Sequence, residues 1–150
     1  MPIDTEKIKR LRDSTGLSFG EINKALAESG GDESKAMDIL KVRGALSAAK
    51  RSSRSVKEGV VEAYVHSTKK LAVLVEVLCE TDFVARNVEF QKLAHDVAMH
   101  IAAMKPSVPA ELLEQPFVKD QDITIQDLLN QYIAKLGENV QIGQFHIMEL

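Results

Sequence analysis

The chain has 150 residues, 45% of them apolar, and a formal net charge of −3. That length suits one ordinary domain, or a small domain with a mini-domain attached. No apolar run reaches the ~18 residues of a membrane span, MPIDTEKIKRLRD lacks the apolar stretch of a signal peptide, and the single cysteine, Cys79, excludes an intrachain disulfide. These features predict a soluble, cytoplasmic protein of a reducing compartment, with no membrane partner.

Residues 1–44 read as three short helices. Ile8 and Leu11 form an apolar stripe in the first. Ser18-Phe19-Gly20-Glu21 has the pattern of a capping box, in which a hydroxyl and a carboxylate satisfy the first free amides reciprocally. Phe19, Ile22 and Leu26 then share a face. Gly30-Gly31 stops this helix, and Asp32 caps the next, which turns Ala36, Ile39 and Leu40 inward.

Residues 45–58, ALSAAKRSSRSVKE, are small and basic and read as a linker with some helical character. Residues 1–58 carry 12 basic and 9 acidic side chains, whereas 59–150 carry 7 and 13. Between Ile39 and Lys57 six cations, Lys41 to Lys57, meet no acid. A solvated linker, or one facing an acidic protein, fits this better than a nucleic-acid site, because no aromatic residues are interleaved.

From residue 59 to 150 the pattern is that of an α+β core. Val61, Ala63 and Val65 alternate with Glu62, Tyr64 and His66, which predicts a half-buried strand with the valines inward. After a turn, Leu71–Glu80 is a second strand, antiparallel to the first, with valines at 73, 75 and 77. Phe90, Leu93, Ala94, Val97, Ile101 and Met104 have helical spacing behind an Asn87 cap, and Pro106 and Pro109 end that helix. EQPFVKDQD reads as a loop. Ile125, Leu128, Leu129, Tyr132 and Leu136 make another helix, closed by Gly137. NVQIGQFHIMEL is a final strand whose apolar parity switches at Gly143, the sign of a bulge. The fold class is therefore α+β: a three-helix head, a basic linker, and a small, mainly antiparallel sheet packed with helices.

Few residues offer chemistry. Cys79 with His66, His95 or His100 would imitate a thiol nucleophile and base, but a cysteine closing an apolar strand is far more often a core residue. His95 and His100 lie about 140° apart on a helix and share no metal; Asp96 and His100, four apart, predict a surface pair. No phosphate-cradling glycine loop or zinc spacing occurs. Thr81-Asp82-Phe83-Val84 follows the second strand. On residue types alone it reads as a turn in which Asp82 caps a helical turn and Phe83 tucks into the core; otherwise Phe83 is an exposed binding anchor.

Several stretches, in order along nearly the whole chain, carry a resemblance to one family. They are LRDSTGLSFGEINKAL (11–26), RGALSAAKR (43–51), EVLCETDFVARN (76–87), LAHDVAMHIAAMKP (93–106), LEQPFVKD (113–120) and IAKLGENV (133–140). The chain resembles elongation factor Ts, the exchange factor of bacterial-type elongation factor Tu. The resemblance implies a head of ubiquitin-associated type over 1–44 and an α+β core of dimerisation type over 59–150. It implies that Thr81, Asp82, Phe83 and Val84 act at the magnesium end of the partner's nucleotide site. The head, through Gly16, Leu17, Ser18 and Phe19, would dock on the partner's nucleotide-binding domain. His100 and the C-terminal strand would hold it elsewhere.

Exchange of this kind requires no nucleophile, metal or cofactor in the chain, and no nucleic acid. The alternative is an adaptor that uses the helical head alone. Asn23 and Leu78 depart from the family pattern, the first at a position usually basic, the second at one usually polar or small. Residues 105–117 join stretches that longer members separate by a helical insertion, and one core stands where long members have two. Short members pair through their cores, which predicts a homodimer.

Overall fold

The computed structural model describes residues 4–150, so the first three residues of the N-terminal segment lie outside it. The head consists of α1 (Thr5–Thr15), α2 (Phe19–Glu28) and the start of α3 (Glu33–Arg51). Each begins at a polar cap. Asp4 accepts from the amides of Glu6 and Lys7, Ser18 and Glu21 form the expected reciprocal box, and Asp32 accepts from Lys35 N–H. Ile8, Leu11, Leu17, Ile22, Ala25, Leu26, Ala36 and Leu40 close a core of their own. Phe19 stays outside it and is 44% exposed, so it does not share the inward face of Ile22 and Leu26.

Residues 45–51 are helix rather than linker. Ala48-Ala49-Lys50-Arg51 are good helix formers, and α3 gains a surface to lie on. A Cβ at Gly44 would meet Asn130 of α7 at ordinary contact distance, and Ala48 packs against the larger core. Only 52–57 remains a connection, before β1 (Glu58–Val65).

The sheet has the order β1–β2–β5, both pairs antiparallel, with β2 (Leu71–Cys79) central and β5 (Gln141–Glu149) at the far edge. Val73, Val75, Val77 and Cys79 point into the core, as their alternation requires. The β1 phase is the reverse of that expected. Val60 and Tyr64 pack on the core, whereas Val61 and Val65 are 69% and 56% exposed. Alternation marks two faces but does not say which is inner. Between β2 and β5 the register shifts between Val75 and Val77: Val75 faces Phe145 and Val77 faces Ile142, so Gly143 and Gln144 bulge opposite Glu76. The Glu76 carboxylate accepts from Gln144 N–H at 2.9 Å.

The one-turn α4 (Asp82–Ala85) leads into α5 (Val88–Met104), which Asn87 caps and which lies along the inner sheet face. Pro109 does not end a helix. It occupies the first turn of α6 (Pro109–Glu114), where a missing N–H costs nothing. The stretch expected as a loop holds a short hairpin, β3 (Pro116–Phe117) with β4 (Asp120–Thr124). A second capping box, Thr124 with Asp127, starts α7 (Ile125–Leu136), and Gly137 ends it in a left-handed conformation. Phe90, Leu93, Ile101, Leu112, Ile125 and the β2 valines form the centre of this core.

Candidate functional site

β2 leaves the sheet at Cys79, and the chain reaches the family-like TDFV stretch two residues later. Thr81 is extended, and its hydroxyl accepts from Val84 N–H at 3.3 Å. Thr81, not Asp82, is therefore the cap. Asp82 lies in the first turn and pairs with Arg86 at 2.8 Å, both side chains well exposed. Phe83 does not tuck back: it is 90% exposed. Ala85 is buried and Val84 packs on the core, so one side of the turn is anchored while Phe83 projects from the other.

A four-residue helix does not hold itself together in water, since nucleation is unfavourable and only tertiary support stabilises so short a turn. Part of the support comes from the junction between α7 and β5. One oxygen of Glu138 accepts from the amides of Glu80 and Thr81, each at 3.1 Å, and the other accepts from the Thr81 hydroxyl at 2.7 Å. In return, Glu80 accepts from Asn139 N–H at 3.0 Å and lies 3.7 Å from Arg54. Asn139, buried, donates its side-chain amide to the Arg54 carbonyl at 2.8 Å. Two loops thus exchange carboxylates, each satisfying the other's backbone. Sequence reading missed Glu138, Asn139, Glu80 and Arg54. The only signal was that Glu80 and Glu138 lie inside two of the family-like stretches.

The alternative chemistry finds no support. Cys79 is fully buried and donates its S–H to the Thr81 carbonyl at 3.2 Å. Burial, with the Glu138 charge nearby, pushes the thiol up to about 11, so it stays protonated and unreactive near neutral pH. His66 is engaged with the Tyr64 hydroxyl at 3.1 Å, and His95 lies beside the same ring. Among the described residues, no group of three or more His, Cys, Asp or Glu is placed to hold a metal ion. None of their helices is long and apolar enough to cross a membrane.

The expected surface pair of Asp96 and His100 is absent. His100 is completely buried; its Nε2 lies 2.9 Å from the side-chain amide oxygen Oε1 of Gln115, and its Nδ1 accepts from Val118 N–H at 3.3 Å. Asp96 pairs with Lys119 at 2.9 Å. His100 therefore has no surface to offer a partner; it fastens α5 to the β3–β4 hairpin. Burial lowers its pKa below the ordinary 6.5, and the Gln115 bond opposes this less strongly. The folded chain keeps the ring neutral where the unfolded chain protonates it. Its contribution is complete above about pH 6.5, declines as pH drops through the lowered native value, and then levels off. The melting temperature is accordingly expected to fall more between pH 7.5 and 5.5 in the parent chain than in His100→Gln, measured by circular dichroism.

In the head, Leu17 is buried in the small core and Ser18 is engaged in the capping box, so neither is free to contact a partner by its side chain. Gly16 has φ +69° and lies against Lys135; a Cβ there would come within 2.6 Å of the Lys135 Nζ. Phe19 is available, at the edge of an open groove of about 410 Å³ that also includes Lys9 and Arg12. Four of the six cations between Ile39 and Lys57 are engaged internally. Lys41 donates to the Asp122 carbonyl, Arg43 pairs with Glu28, Arg51 donates to the Gly137 carbonyl, and Arg54 pairs with Glu80.

The family profile described as Elongation factor TS matches residues 23–110 and, overlapping, 80–150. An Elongation factor Ts from Nitratidesulfovibrio vulgaris is 42% identical, over 100% of this chain and 98% of that protein. The chain belongs to the elongation factor Ts family. A second Elongation factor Ts, from Fervidobacterium nodosum, is 37% identical over 100% of the chain and 99% of its own length. A chloroplastic Elongation factor Ts from Porphyra purpurea is 41% identical over 97% and 87%. The first alignment runs over 195 positions against the 150 residues present, so that elongation factor Ts carries segments this chain lacks. The Thr81–Val84 turn, the head and the sheet described above are thus those of a member of a translation elongation factor family.

Proposed function

We propose that the chain is a guanine nucleotide exchange factor that binds elongation factor Tu·GDP, disturbs its magnesium site and promotes replacement of GDP by GTP. The observation that carries this is Phe83: a large apolar ring, 90% exposed, on a turn that is itself anchored. Such a ring at an element junction has no stabilising role in the free chain and fits a pocket in a partner. Asp82 beside it brings a carboxylate, held only by an exposed pair with Arg86 that is worth ~1 kcal/mol or less and is easily exchanged for another partner.

The physical logic follows from rates. A nucleotide bound at nanomolar Kd with an association rate of ~10⁶–10⁷ M⁻¹s⁻¹ leaves in about minutes. Magnesium bridges phosphate oxygens in near-octahedral geometry, so a small displacement of its supports weakens it sharply. Burying the Phe83 ring supplies ~1.5–3 kcal/mol toward that displacement. Coupling is reciprocal, so incoming nucleotide drives the factor off again. No nucleophile, cofactor or nucleic-acid contact is required of the chain. Phe19 and its groove, where Lys9 and Arg12 outnumber Asp13, suit docking of the head on a partly apolar surface of the partner. Stopped-flow release of fluorescent GDP from elongation factor Tu tests the reading. Release is expected to quicken by orders of magnitude and to saturate with factor; an unchanged rate over the whole titration would defeat it.

A homodimer is part of the same proposal. The outer sheet face presents Val61, Val65, Leu74 and Met148, each at least half exposed, and Ala63 and Ala72 lie between them in the register. A second copy laid on this face would bury an apolar layer that a lone sheet leaves in water. Sedimentation at tens of micromolar is expected to give twice the 16.6 kDa chain mass, and Leu74→Glu to give the monomer. A monomeric parent chain would contradict the pairing.

A further inference from the structure

We propose that Glu138 is a positioning residue for exchange: it fixes the Thr81–Val84 turn so that Phe83 meets the partner in one orientation. The inference rests on the exchange reading and adds a residue to it. Thr81 is the point of control. Its hydroxyl has one proton and gives it to Glu138 at 2.7 Å, and this orients the hydroxyl lone pairs toward Val84 N–H at 3.3 Å. The same carboxylate takes up the amides of Glu80 and Thr81. One side chain therefore satisfies the backbone where β2 ends and sets the cap on which α4 begins.

Glu138 is itself held in place. It follows Gly137, whose φ of +75° closes α7, and it precedes Asn139, whose N–H goes back to Glu80. The α7–β5 junction and the β2–α4 junction are thus tied in both directions. α7 also packs along α3, which begins in the head, and Ala134 of α7 contacts the head core. The helix that Glu138 follows touches the head, and Glu138 itself holds the exchange turn. Orientation matters because a side chain that acts by displacing a metal's supports loses its effect if its own base yields, and displacements of ~1 Å in such sites cost up to ~100-fold in rate.

The test is GDP release from elongation factor Tu, titrated with parent chain, Phe83→Ala, Glu138→Ala and Glu138→Gln, together with hydrogen exchange of the amides of residues 80–84. Glu138→Ala is expected to lower the maximal release rate about tenfold or more, with the half-saturating concentration changed less than about threefold. The amides of Glu80, Thr81 and Val84, which Glu138 and the Thr81 hydroxyl hold, are expected to lose protection. Glu138→Gln keeps an acceptor for the two amides but none for the Thr81 proton, so it is expected to fall between. Unchanged protection at 80–84 in Glu138→Ala, or a parental maximal rate where Phe83→Ala is slow, overturns the positioning role alone. Parental rates in Phe83→Ala as well overturn the exchange reading and the positioning role with it.

Discussion

Phe83→Ala is expected to release GDP from elongation factor Tu about 10- to 100-fold more slowly than the parent chain at saturating factor. The number follows from the ring: ~1.5–3 kcal/mol of burial, at 1.4 kcal/mol per factor of ten, applied to the released rather than the GDP-bound state. A contact formed as the metal yields appears in the maximal rate, not in the half-saturating concentration, which docking of the head and sheet determines. The free chain should be indifferent. Phe83 is 90% exposed and packs on nothing that folds, so its melting temperature is expected to match the parent's. A variant that melts normally and exchanges slowly separates an exposed lever from a core residue, which is the distinction that residue types alone left open.

Gly59→Ala is expected to be the most damaging small change in the core. Gly59, the second residue of β1, has φ +151°, a conformation that side-chain-bearing residues rarely adopt. A Cβ there would lie 2.2 Å from the Val77 carbonyl oxygen and 2.9 Å from the Leu78 Cα. Both neighbours are backbone atoms of the central strand, so no side chain can turn aside to make room. Strain at the residue costs ~1–3 kcal/mol, and the forced shift of the ladder adds to it, for a total of about 3 kcal/mol or more. For a chain of this size that lowers the melting temperature by about 6–12 °C, measurable by calorimetry or urea titration. Gly59 pairs with Leu78, and Glu58 with Cys79, so the distortion falls at the foot of the Thr81–Val84 turn. Release of GDP should slow even where the variant remains folded; a variant as stable as the parent would mean that the ladder yields without cost.

What could be read directly in the sequence was local. Two capping boxes, Ser18 with Glu21 and Thr124 with Asp127, are short-range signals, and each starts a helix where the sequence places one. The β2 valines lie on a strand buried on one face, and the Gly143 parity switch lies in its neighbour β5; both are read from a period of two within a few residues. What escaped depends on contacts distant in sequence. The β1 phase is reversed because Val61, Ala63 and Val65 form an apolar outer face, and no pattern within one strand tells inside from outside. α3 continues to Arg51 because α7 provides a bed for it. His100 looks like a surface partner of Asp96 at helical spacing, yet Gln115 and Val118, 15 and 18 residues on, claim it. Glu138 acts on Thr81 across 57 residues, which no motif of single-stretch length reveals.

The Thr81–Val84 turn is proposed to work at the metal end of a partner's nucleotide site. The most direct test is the rate of GDP release from elongation factor Tu at saturating factor, measured with millimolar magnesium and again with magnesium chelated. If the turn acts by loosening the metal, the factor should speed release by orders of magnitude with magnesium present, and most of that advantage should vanish once the metal is gone. An equal acceleration in both conditions, or none in either, would contradict it.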